Sequence, residues 1–153
     1  MKRKKLVSLG ILMLFVAPLV LAEDQKKEIS VDEAMKCFCG TWINPAYYEL
    51  VGHVAKPGKV VIKDDTIEWY KNETSQSPMY CDTYKIEKSW IDKDDNVWLN
   101  VLAEYFSIAH KLRKKYLLIK ISDDGNTLEF AYDWNAYPTV DPETWPYTIM
   151  HKK

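Results

Sequence analysis

From Gly40 onward the apolar side chains of this chain recur at every second position, in short runs separated by turn residues. A period of two puts alternate side chains on opposite faces of an extended segment, so each run reads as a β-strand with one apolar and one polar face. Lys59–Lys63 follows a Pro57-Gly58 turn, and Asp64-Asp65 separates it from Thr66–Tyr70, where Ile67 and Trp69 share a face. Met79–Lys88 sets Tyr80, Tyr84 and Ile86 on one side. Val97, Leu99, Val101, Ala103 and Tyr105 align along a longer strand, and Leu117, Ile119 and Ile121 do so within Lys115–Ile121. Asp123-Asp124-Gly125-Asn126 is a tight-hairpin sequence, after which Leu128, Phe130, Tyr132 and Trp134 share a face. Trp145, Tyr147 and Ile149 predict a last short strand.

With the strand opened by Gly40, the pattern predicts eight strands joined in order by short connections. No long helical stretch intervenes, so parallel βαβ units are excluded. Glu104 to Lys115 reads as a strand end followed by a basic loop with His110, Lys111, Arg113 and Lys114. Sequential antiparallel strands with one apolar face bury it most economically by closing on themselves. The expected fold is therefore all-β: an eight-stranded antiparallel up-and-down barrel with a short N-terminal helix. The helix is predicted by Ser30-Val31-Asp32-Glu33, a capping box in which Ser30 is the N-cap.

The first residues do not fit this pattern. Lys2, Arg3, Lys4 and Lys5 precede an apolar run from Leu6 to Leu21 that ends at Val20-Leu21-Ala22. A basic start, an apolar stretch too short for a span of about 20 residues and a small-residue end describe a secretory signal peptide. Residues 1–22 are thus expected to be removed, leaving 23–153 as one barrel domain, exported to the periplasm or secreted, with no stable membrane anchor. Removal changes the charge. The whole chain is at −1, whereas residues 23–153 hold 17 basic and 22 acidic side chains and are at −5. A mildly acidic domain is a poor match for nucleic acid, so none is expected as a partner. A hydrophobic fraction of 47% excludes disorder.

The order short helix, Gly40-Thr41-Trp42, then an eight-strand meander resembles the lipocalin and calycin group, in particular small exported bacterial lipocalin-like domains. The resemblance spans residues 30–150. It implies that Gly40 and Trp42 open the first barrel strand, with Trp42 packed at the closed end beneath a ligand cavity. In that group an Arg of the last strand stacks over the Trp. Here the last strand has no Arg, and His151 and Lys152 are the cations available. The group's Thr-Asp-Tyr motif is also absent, since Asp82-Thr83-Tyr84 comes too early and in another order.

Parity places Trp69, Tyr84, Tyr105, Phe130 and Tyr132 inside the barrel, where they either fill it or line a pocket for a small apolar or amphipathic ligand. The alternative is a filled barrel that meets a protein partner at the envelope, as partner or inhibitor. Its contact surface would be the C-terminal aromatic and Pro-rich stretch with Trp134, Tyr137, Trp145 and Tyr147. Catalysis is not expected. His53, His110 and His151 are scattered, and the acid pairs fall at turns. Neither a metal nor a cofactor is expected, because Cys37-Phe38-Cys39 and one distant Cys81 do not make a four-ligand zinc set. In an oxidising compartment two of these three cysteines are expected to pair, as Cys39–Cys81 or Cys37–Cys81.

Overall fold

The fold is described by a computed structural model, which covers residues 26–45, 56–107, 109–141 and 145–153. The expected signal peptide, residues 1–22, lies outside the described residues. No helix among the described residues is long and apolar enough to cross a membrane.

A two-residue strand, β1 (Lys27–Glu28), precedes helix α1 (Val31–Phe38). The capping box forms as expected. The Ser30 hydroxyl accepts from the Glu33 N–H at 3.2 Å, and the Ser30 N–H donates to the Glu33 carboxylate at 3.1 Å. Two otherwise orphaned donors are thereby satisfied, and the acids at the helix start also face its positive end. Strands β2 (Gly40–Ile43), β3 (Lys59–Ile62), β4 (Thr66–Tyr70) and β5 (Tyr80–Ile91) follow. Then come β6 (Val97–Phe106), β7 (Leu112–Ile121), β8 (Thr127–Asp133) and β9 (Thr148–Lys152). Each of β2 to β8 pairs antiparallel with the next, and β9 returns to pair with β2, so the eight-stranded up-and-down barrel closes. β1 pairs with the far end of β5, outside the closed set.

Two boundaries differ from the sequence reading. The stretch after Glu104, expected as a strand end and a basic loop, is a hairpin: β6 runs on to Phe106, and β7 begins at Leu112 rather than Lys115. Its turn is closed by the Ser107 N–H donating to the Lys111 carbonyl at 3.0 Å. At the C-terminus the last strand starts only at Thr148, so Trp145 and Tyr147 precede it. Pro146 has no N–H to give to a ladder. Within β9, Thr148 and Met150 are buried and Ile149 is 46% exposed. The tight hairpin at Gly125 is as expected, with φ +70, a conformation glycine adopts without strain.

The core sits inside the barrel and under α1. Ala34 and Phe38 of the helix, with Trp42, Leu99, Val101, Ala103, Ile121 and Met150, are fully buried. The Trp42 indole N–H donates to the Phe38 carbonyl at 3.0 Å, which ties the end of the helix to the first barrel strand. Burying each of these large side chains stabilises the fold by about 1.5–3 kcal/mol. The space they leave, between Phe38, Trp42, Trp69, Leu117, Phe130 and Met150, is about 10 Å³. That is room for about one water and no more.

Candidate functional site

The end of the barrel opposite α1 is built differently from the core. Asp82 of β5 points inward and is 1% exposed, and its carboxylate accepts from the Trp69 indole N–H at 2.8 Å and from Lys115 Nζ at 3.0 Å. Lys115, on the inward face of β7, lies within 4.8 Å of the Trp69 ring centroid and 5.4 to 5.8 Å of those of Tyr105, Tyr132 and Trp134. An ammonium over aromatic faces is attracted by their quadrupoles, the more so when it is shielded from water. The mouth thus holds an ion pair, its carboxylate buried and its ammonium partly so, in a box of four aromatic rings. Tyr147 extends the box, edge-on to Tyr132 at 5.3 Å, with Lys56 Nζ 4.8 Å from its centroid. Burial, with Tyr147 beside it, raises the Tyr132 hydroxyl above the ordinary tyrosine pKa.

The five residues assigned by parity to a ligand pocket divide. Trp69, Tyr105 and Tyr132 converge on Lys115. Phe130 lies below them, tilted against Trp69 at 5.8 Å and edge-on to Tyr147 at 6.3 Å. Tyr84 is not at this site. Its hydroxyl donates to the Lys63 carbonyl at 2.7 Å, its ring meets Phe38 edge-on at 5.5 Å, and burial raises its pKa strongly. It therefore helps seal the helix end. Asp82 and Lys115 were missed, although the signal was present. Asp82 shares parity with Tyr80 and Tyr84, and Lys115 shares it with Leu117, Ile119 and Ile121.

At the closed end, Lys152 of the last strand lies 5.3 Å from the Trp42 ring centroid. Gly40 gives it room. A Cβ at that position would stand 3.2 Å from Lys152 Cε, and the backbone φ of +142 is one that other residues rarely adopt. Of the two candidate cations, Lys152 and not His151 covers the tryptophan. One polar group inside the barrel is unsatisfied: Thr148 Oγ1 is buried with no hydrogen-bond partner among the described residues.

The expected disulfide does not form, and Cys37, Cys39 and Cys81 are all free. Cys39 caps α1 just before β2, while Cys81 lies on the outer face of β5, with β3 and β4 between the two strands. The Cys39 thiol faces Asp64 and Tyr84 at the helix end, whereas Cys81 is exposed on the outer side of β5, so the two thiols do not meet. Burial raises the pKa of the Cys39 and Cys81 thiols, so neither is activated.

The C-terminal aromatic stretch is largely spent on the barrel wall. Trp145 stacks on Trp98 at 5.4 Å, and Trp98 on Trp90 at 6.1 Å and 7°. The Tyr137 hydroxyl donates to Glu87 at 2.7 Å. Trp134 remains 50% exposed. Between this stretch and the outer faces of β5, β6 and β7 runs a groove of about 560 Å³, floored by Trp90, Trp98, Asn100 and Leu118 and walled by Lys88 and Val140.

Among the described residues, fold and site together define a closed up-and-down β-barrel with a packed core, an ion pair boxed in aromatic rings at its mouth and a tryptophan-floored groove outside. Compared with known proteins, the chain matches no family model, no curated protein and no solved structure.

Proposed function

We propose that this is an exported, lipocalin-like barrel that performs no chemistry and binds a protein partner on its outer wall. Of the two expectations from sequence, a ligand carried inside and a filled barrel with an external contact, the second is favoured. The observation behind this is the contrast in volume: about 10 Å³ inside against about 560 Å³ in the outer groove. Small-molecule pockets run from about 300 Å³. Trp90 and Trp98 supply the aromatic floor that binding hot spots favour, and the flanking lysines and acids supply a polar rim. Lipocalin-like kinship is supported by the helix, the strand order and a cation over Trp42.

The test is site-specific photo-crosslinking in the source cells. A photoreactive side chain at Val140 should capture one defined protein, and the same group at Asp123 should not. Native mass spectrometry of the purified protein should show the bare chain. A co-purified small molecule, or quenching of tryptophan fluorescence by fatty acids with saturable stoichiometry, would return the function to ligand carriage.

A further inference from the structure

The β6–β7 hairpin extends the open end of the barrel with side chains the core does not use. Phe106 and Leu112 face each other across the ladder on its outer side and are 73% and 53% exposed. His110, Lys111, Arg113 and Lys114 are exposed around them. Lys114 is engaged with Glu104 at 3.7 Å, but Lys111 and Arg113 have no ion-pair partner among the described residues. At the neighbouring strand ends of the same rim, Tyr80 is 62%, Trp134 50% and Met79 42% exposed. An apolar rim is therefore combined with uncompensated positive charge, on a domain whose net charge is −5.

That combination has a chemical counterpart. Exposed apolar clusters mark contact sites. At a bilayer surface, apolar tips enter the boundary between headgroups and acyl chains, Trp and Tyr settle at headgroup level, and Lys and Arg meet anionic headgroups. We propose that this rim docks reversibly on a bilayer containing anionic lipid, with the β6–β7 hairpin entering first. A bilayer is favoured over an acidic protein because its one surface takes every exposed group of the rim, the apolar tips at the acyl boundary, Tyr80 and Trp134 at headgroup level and the cations on anionic headgroups. This surface is separate from the outer groove, and it asks nothing of the filled interior.

The test is sedimentation of residues 23–153, which contain the whole closed barrel, with vesicles. Binding is expected to an equal mixture of phosphatidylglycerol and phosphatidylcholine and not to phosphatidylcholine alone. It should be lost between about 0.1 M and about 1 M salt, where the Debye length falls from about 10 Å to about 3 Å. A basic side chain near an anionic surface strengthens binding about fivefold, so K111Q/R113Q should weaken it about 25-fold. F106S/L112S should abolish it, and both variants should keep the parent's circular dichroism because all four side chains are exposed. Absence of binding to the anionic vesicles at low salt would overturn the proposal, as would binding indifferent to both double substitutions. Equal affinity for a soluble acidic polypeptide, with the same dependence on Phe106 and Leu112, would reassign the rim to a protein and overturn it too.

Discussion

Replacing Lys115 by Met tests whether the mouth is sealed. The substitution keeps most of the side-chain volume and removes the charge, leaving the Asp82 carboxylate, 1% exposed, with the Trp69 indole as its remaining donor. Breaking a buried ion pair by removing one partner costs about 3–5 kcal/mol. Against a total stability of about 5–15 kcal/mol this is a large share. With a urea dependence of about 2 kcal/mol per molar, the midpoint should fall by roughly 2 M. The assay is urea unfolding followed by tryptophan fluorescence, to which Trp69 and Trp134 of the box report directly. The double variant D82L/K115M should recover most of the loss, since an apolar pair of similar volume is often as stable as the ions it replaces. A further arm uses Lys115→Ala, which empties the aromatic box while keeping its carboxylate. Methylammonium should restore stability there in a saturable way, and sodium should not. A loss below about 1 kcal/mol in the Met variant, the range of solvent-exposed pairs, would mean that water already reaches Asp82 and that the mouth is not sealed. A double variant no better than the single one would place the cost in packing rather than charge.

Other consequences follow from single groups. Thr148→Val keeps shape and removes a buried hydroxyl that has no partner among the described residues, so it should stabilise the barrel by about 1 kcal/mol in the same urea assay; a loss would mean that a water or ligand holds that hydroxyl. Burial pushes the Asp92 carboxyl upward, but the Trp98 indole, the Asn96 amide and the backbone N–H groups of Asn96 and Asp94 outweigh it and hold the pKa below the ordinary value. A folded pKa below the unfolded one stabilises above the unfolded value, about 3.9, and is lost as pH falls through the folded one. Asp92→Ala should therefore cost about 1–3 kcal/mol at neutral pH, with a gap to the parent that narrows below about pH 4; a gap independent of pH would contradict it. Thiol titration of the native protein should find three free cysteines, with exposed Cys81 modified before half-buried Cys39, and a bridged pair would overturn the free-thiol assignment.

The architecture was legible because it rests on local properties. Parity along each strand, turn residues between strands and a capping box are all read within a few positions, and closure follows once every strand has one face to hide. The site was legible only in part, and the boundary is physical. Parity states that Asp82 and Lys115 point inward, but not that they meet. They are 33 positions apart, on β5 and β7, with β6 between, so their contact depends on two successive registers, including a shift between Ile86 and Lys88 in β5–β6. The same limit misplaced Tyr84. Its inward parity was right, but β5 is long enough to reach from the mouth to α1, and position along the strand decides which end a side chain serves.

The cysteines failed for the complementary reason. Compartment and parity are both compatible with a bridge, but direction decides against it: the Cys39 thiol faces Asp64 and Tyr84 at the helix end, whereas Cys81 is exposed on the outer side of β5. Interior filling is a third kind of property, because it depends on summed volume. Trp69 and Phe130 could each line a cavity or fill it. What decides is that Phe38 enters from the helix end while Lys115, drawn to Asp82, occupies the mouth beneath Trp134. Two side chains from outside the predicted pocket set thus close a barrel whose aromatic lining alone would have suited a ligand. For that reason Lys115, rather than any of the tyrosines, is the residue on which the choice between a carrier and a surface-binding module turns.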